Sequence, residues 1–279
     1  MESLTNLRSE GLSLTTIGGD SYTAVMRSGR QFPIRQEEWS IKADYYLDTF
    51  VYYLEDIIAG LRASGNPLRR VLEIGVARGV LSIGIALITG DQTHLVGIDI
   101  EEKSKELVMQ NATNNHVTER IEVRIGDLFE PVLPDEKFDL IFGELPLMPI
   151  DPEEQRLFLE QGHASEILNI SGGADGRYFI DALIRQGSQY LNAGGAILVI
   201  HPSFINAQKT LDMMAEVGLS GEVLVSREWL LRDTKFTRRN KPYLEKTHGY
   251  TFPINADGEE LFYLQIIRGS KPADVVTEA

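Results

Sequence analysis

Leu72-Glu73-Ile74-Gly75-Val76-Ala77-Arg78-Gly79 closes one apolar run and opens another. Val71-Leu72-Glu73-Ile74 is short and apolar, as a buried strand is, and Val80 to Leu87 reads as a buried helix. Glycines between a strand and a helix let the backbone approach a ligand closely, and the helix start offers free N–H groups. The spacing is Gly-x-x-x-Gly with Ala77 at the middle small position, so the dinucleotide fingerprint Gly-x-Gly-x-x-Gly does not fit and a pyrophosphate is not the expected ligand.

The alternation continues downstream. His94–Asp99 is a second strand and Glu101–Asn115 a second helix. Ile121–Ile125 and Phe138–Phe142 are further strands. Gly176–Leu191 is helical, Gly195–Ile200 extended and Thr210–Val217 helical. Glu222–Ser226 and Leu261–Ile267 are strands with no helical pattern between them. Short apolar strands alternating with helices give an α/β fold with a doubly wound, mostly parallel sheet. The last two strands lack a crossover helix and can pair antiparallel. Upstream, Leu12–Ile17 and Tyr22–Met26 flank Gly18-Gly19-Asp20 as a hairpin, and Ile41–Ala63 repeats apolar residues at helical spacing. The expected division is an N-terminal hairpin and helical cap over 1–63, and a catalytic domain over 64–279.

The 279 residues carry 27 basic and 41 acidic side chains, for a net charge of −14. So acidic a surface repels phosphate backbones and disfavours generic nucleic-acid binding. No stretch of about 18 apolar residues spans a membrane, and the N-terminus lacks a signal-peptide core. The chain has no cysteine, which excludes disulfides, thiolate metal sites and cysteine nucleophiles. A cytoplasmic protein is the expectation. No His/Asp/Glu cluster has metal-ligand spacing, so no metal is expected.

Four acids stand at strand ends. Asp99 ends the second strand, where a carboxylate can accept both ribose hydroxyls. Asp127 and Leu128 follow the third strand, placed to bond an adenine amine and flank its ring. Glu73 closes the first strand and suits an amino-acid ammonium. Glu144 follows the fourth.

Glu73-x-Gly75-x-x-x-Gly79, the Asp99 strand end and Gly126-Asp127 resemble the S-adenosylmethionine site of class I methyltransferases over about residues 68–268. The resemblance implies a Rossmann-like, seven-stranded sheet with an antiparallel last strand. It also implies a cofactor site of Glu73, Gly75, Ala77, Gly79, Asp99, Ile100, Asp127 and Leu128.

Gly172-Gly173-Ala174-Asp175-Gly176 and Leu191–Val199 resemble the HemK/PrmC-like protein-glutamine methyltransferases. That family carries Asn-Pro-Pro-Tyr after the fourth strand, and here Glu144-Leu145-Pro146-Leu147 stands there. The resemblance makes Leu145, Pro146 and Leu147 substrate contacts.

Glu144 is an acceptor when ionised and can orient an N–H or O–H, or take its proton. That favours an acceptor already neutral or weakly acidic. His201, at the end of the fifth strand, is a second candidate base, and His163 can reach the acceptor from its loop. Tyr46, among the cap aromatics Trp39, Tyr45, Tyr52 and Tyr53, is a candidate substrate contact. The basic run between Arg232 and Lys246 is a candidate lid or anion grip.

The expectation is an S-adenosylmethionine-dependent methyltransferase acting on nitrogen or oxygen of a small molecule, with specialised metabolism as its setting. The alternatives are a protein glutamine side chain as acceptor, a nucleic-acid base, or an inactive cofactor-binding scaffold.

Overall fold

In the computed structural model the described residues are 14–16, 21–37, 45–162, 167 and 169–273. The turn at Gly18-Gly19-Asp20, Trp39 and His163 lie outside them. Strands β1 (Leu14–Thr16), β2 (Ser21–Val25) and β3 (Gln31–Arg35) form an antiparallel sheet in that order. The first two match the expected hairpin. The sequence reading missed β3 because Pro33 sits inside it, and proline is tolerated only at an edge such as this one. Phe32 and Ile34 alternate inward regardless.

Helix α1 (Tyr45–Ala63) follows. The sheet-forming part then runs β4 (Arg70–Ile74), α2 (Val80–Thr89), β5 (His94–Asp99), α3 (Glu102–Asn114), β6 (Ile121–Ile125) and β7 (Phe138–Gly143). It continues through α4 (Pro152–Glu160), α5 (Tyr178–Gly187), β8 (Leu191–Pro202), α6 (Ala207–Glu216), β9 (Ser220–Leu230), α7 (Lys235–His248) and β10 (Leu261–Ser270).

The main sheet has the order β6-β5-β4-β7-β8-β10-β9. Its strands pair in parallel from β6 to β8, and β10 runs antiparallel to both β8 and β9. The fold class expected from the sequence is the one observed. The order reverses beside β4, so the tips of β4, β5, β6 and β7 open onto one crevice.

Two helices escaped the sequence reading. Helix α7 fills the segment between the last two strands, where no helical pattern was expected. Its inward residues Thr237, Asn240 and Leu244 are spaced for one helix face, but two are polar, and Pro242 interrupts the run. Helix α4 carries an ordinary start signal: Asp151 accepts from Glu153 N at 2.8 Å and Pro152 is the first helical residue.

One apolar core runs from Tyr22, Met26 and Phe32 of the small sheet, through α1 and α2, to the central strands. Phe50 of α1 meets Phe142 of β7 edge-on at 5.9 Å. Among the described residues no helix is long and apolar enough to cross a membrane.

Candidate active site

The loop after β4 is drawn over β5: Gly75 N and Val76 N both donate to Ile98 O, at 2.8 and 3.0 Å. At the β5 tip the Asp99 carboxylate accepts Ala77 N at 2.6 Å and Glu101 N at 2.9 Å. Burial raises the Asp99 pKa despite those bonds. Gly75 has φ +76°, and a Cβ there would sit 3.0 Å from Leu145 Cδ2, so a larger residue would strain the turn and push on the Leu145 side chain. Ala77 at φ +48° and Leu128 at φ +46° are non-glycine residues held in the left-handed region. Such strain persists where surrounding structure enforces it, often at ligand sites.

Glu73 is buried at the end of β4 and accepts both the N–H (3.0 Å) and the hydroxyl of Ser82. Burial pushes its carboxyl up to about 8.

These groups line a cleft of about 400 Å3, within the range of small-molecule sites. Glu73, Gly75, Ala77, Asp99, Ile100, Asp127 and Leu128 lie on its walls, with Ile100 73% exposed at the rim. Glu144, Leu145 and Pro146, from the loop after β7, complete it.

That loop is strapped to the glycine-rich segment 170–176. Met148 N donates to Ile170 O (2.9 Å), Gly172 N to Met148 O (3.0 Å) and Ile150 N to Gly173 O (3.1 Å). Gly176, at φ +71°, passes so close that a Cβ would lie 2.5 Å from Leu147 O. Helix α7 covers both: the Tyr243 hydroxyl donates to Ala174 O in the segment at 3.1 Å, and Asn240 Nδ2 donates to Pro149 O in the loop.

Four expected site residues are not on the cleft wall. Gly79 turns the chain into α2, its N–H donating to Val76 O at 2.7 Å. Leu147 is buried beneath Gly176. Tyr46 is buried in the core, and its neighbour Leu47 lines the cleft instead.

His201 is fully buried because β8 runs on to Pro202, which puts position 201 inside the sheet rather than at its tip. Among the described residues neither ring nitrogen has a hydrogen-bond partner of good geometry. Burial, reinforced by the nearby Arg177 guanidinium, lowers its pKa to about 3.

The sequence reading missed Arg78, Asn169, Tyr178 and Phe179, which also line the cleft. Tyr178 is 64% exposed and meets Phe179 edge-on at 4.9 Å. Their place directly after Gly172–Arg177 was the available signal. The basic run is largely paired within the molecule: Arg239 with Glu154 at 2.7 Å, Arg232 with Glu259, and Lys241 with Glu260. It is a helix packed on the site's scaffold rather than an open cationic loop.

A family profile described as a methyltransferase domain matches residues 66–223. The chain belongs to the methyltransferase-domain family. Its class is the S-adenosylmethionine-dependent one, with the class I strand order described above.

This methyltransferase is 32% identical over 155 residues to a Methanocaldococcus jannaschii protein named as a candidate protein N5-glutamine methyltransferase. The match takes in 55% of the chain and 72% of that protein. It is 28% identical over 156 residues to the release factor glutamine methyltransferase of Rhodopirellula baltica, across 54% of this chain but only 50% of that one. Against that relative the chain spans about half its length. A solved structure, SMU.776, named as a methyltransferase candidate complexed with SAH, shares the fold. Its TM-score is 0.52 and its identity 12%, over 91% of this chain and 57% of that one.

The cleft suits the family's cofactor on its own features. A Cβ would crowd the glycine cradle, Asp99 keeps a half-buried carboxylate at a strand tip, and the exposed Ile100 offers an apolar face.

Proposed function

We propose that this methyltransferase acts on the side-chain amide nitrogen of a glutamine within a protein. The observation that carries the reading is the 32% identity over 72% of the M. jannaschii protein, whose name carries that activity. The strap between the loop after β7 and Gly172-Gly173-Ala174-Asp175-Gly176 supports it, since it fixes the acceptor end of the cleft in backbone hydrogen bonds. A small-molecule acceptor, the expectation from sequence, keeps one observation in its favour: Glu144 and Leu147 stand where the resembled family has an asparagine and an aromatic.

In this reading Asp99 receives the ribose hydroxyls, Ile100 and Leu128 flank the base, Asp127 bonds its amine, and Glu73 faces the ammonium. Bound there, S-adenosylmethionine supplies an electrophilic methyl group. An amide nitrogen is a weak nucleophile because its lone pair is delocalised, so orientation and proton acceptance carry the residues' contribution. Glu144 accepts an N–H of the amide and takes the proton that nitrogen loses. Leu145 and Pro146 exclude water beside it, which strengthens that hydrogen bond.

The test is incubation with isotopically labelled S-adenosylmethionine, a release factor bearing Gly-Gly-Gln, and separately a small-molecule extract. Mass spectrometry then locates the label. Label on a glutamine is the expected result. Label only in small molecules would transfer the reading to the second acceptor class.

A further inference from the structure

The Gly75–Gly79 loop is held from outside the catalytic sheet. Arg78, which lines the cleft, is itself buried and donates from Nε to the Tyr22 hydroxyl at 2.7 Å. Its guanidinium carbon also stands over the Tyr22 ring, 5.3 Å from the centroid. The Arg78 carbonyl accepts from Asn111 Nδ2 at 3.0 Å.

Asn111 is completely buried on α3, and the rest of its amide is spent on the small sheet. Nδ2 also donates to Arg35 O at 3.0 Å, and Oδ1 accepts Arg35 N at 2.8 Å. One turn on, Asn115 Nδ2 donates to Pro33 O at 2.8 Å. A single buried amide therefore bonds the end of β3 and the backbone of the cofactor loop at once.

We propose that the N-terminal sheet is part of the cofactor site, with Tyr22 and Asn111 as positioning residues that hold the Gly75–Gly79 loop through Arg78. Docking of that sheet and occupancy of the nucleoside end of the cleft are then coupled. The coupling is reciprocal: whatever factor docking adds to cofactor affinity, the cofactor adds to docking. A buried amide with both its oxygen and its nitrogen committed has one satisfied arrangement, because a lost partner leaves an unpaired group in a dry interior. Undocking β3 would therefore free Asn111 and loosen Arg78 together. This inference does not depend on the acceptor.

The test uses the full chain and S-adenosylhomocysteine. Tyr22→Phe deletes the bond to Arg78 while keeping the ring and its packing. Asn111→Ala deletes the bridge, and Tyr22→Phe carries the test if that variant does not fold.

Calorimetry is expected to give a dissociation constant for Tyr22→Phe raised about three- to tenfold, in line with one lost buried hydrogen bond. Hydrogen exchange is expected to show S-adenosylhomocysteine slowing amides of residues 21–25 and 31–35 in the wild type, and slowing them less in the variant. A purely structural role for the sheet predicts equal slowing in wild type and Tyr22→Phe at matched ligand occupancy, since binding to the native state slows every amide that exchanges by global unfolding. Equal slowing, exchange unchanged by the ligand, or Tyr22→Phe affinity within twofold of wild type, would overturn the proposal.

Discussion

The N–H of Ala77 donates to Asp99 Oδ2 across 2.6 Å, so one carboxylate both folds the glycine loop and ends the neighbouring strand. Its other oxygen accepts Glu101 N at 2.9 Å. Both oxygens are engaged by donors, which an amide cannot satisfy on both sides. Asp99→Asn is expected to turn one N–H toward a backbone N–H and open the loop. Charge-assisted hydrogen bonds contribute about 1.5–3 kcal/mol each, so affinity for S-adenosylhomocysteine should fall roughly 10- to 150-fold by calorimetry. Affinity within twofold of wild type would remove Asp99 from the cofactor site.

Glu73 and His201 give the stability curve two opposed arms. Glu73 titrates at about 8 when folded against 4.5 as its ordinary value, so the native state holds the extra proton and stability falls as pH rises from 4.5 to 8. His201 titrates at about 3 against 6.5, so the unfolded state takes the extra proton and stability falls as pH drops from 6.5 to 3.

Between 4.5 and 6.5 the two slopes oppose each other, and from 6.5 to 8 only the Glu73 slope of the two remains, at up to about 1.4 kcal/mol per pH unit. Below 4.5 the His201 slope is joined by that of Glu136, whose carboxyl the Arg124 guanidinium holds down to about 2. Urea unfolding of wild type and variants across pH checks this. In difference curves, Glu73→Gln should flatten the alkaline arm and His201→Leu the acid arm. An alkaline arm unchanged in Glu73→Gln would assign that titration to another group.

The strand ends that build the cleft were legible because each is local: an apolar run, then an acid or a glycine. Glu73, Asp99, Asp127 and Glu144 all line the cleft for that reason. Position 201 was misjudged because a strand's last residue is set by its partners, and β10 pairs with β8 as far as Pro202. Helix α7 was hidden by polar residues on its inward face, which depend on contacts such as Asn240 with Pro149 that no periodicity reports. The tie between Arg35 and Asn111 joins residues 76 positions apart, beyond any local pattern.

Asp48 of α1 and Arg227 of β9 form an ion pair at 3.1 Å with side chains 2% and 3% exposed. Arg227 also stacks on Trp229, 4.8 Å from the ring centroid. Removing one member takes from the other its buried charge partner, at a cost of about 3–5 kcal/mol. Asp48→Ala should lower unfolding stability by that amount, measured in urea. The double variant Asp48→Leu with Arg227→Met should recover most of it. Equal loss in single and double variants would mean that packing, not charge, dominates there.

Glu144, on the loop after β7, lines the cleft beside the glycine loop, its carbonyl oxygen 3.6 Å from where a Cβ on Gly75 would lie. Glu144→Gln keeps the side chain's length but replaces one acceptor oxygen by a donor and removes the charge. If the carboxylate takes the proton of the methylated nitrogen, kcat should fall about 100-fold or more. Affinity for S-adenosylhomocysteine should stay within twofold, because the cofactor's assigned contacts come from the β4, β5 and β6 tips. A KM rise at constant kcat would mean that Glu144 only binds the acceptor. An unchanged kcat and KM would leave the side chain without a part in transfer, and the proton would then have to leave through solvent at the mouth of the cleft.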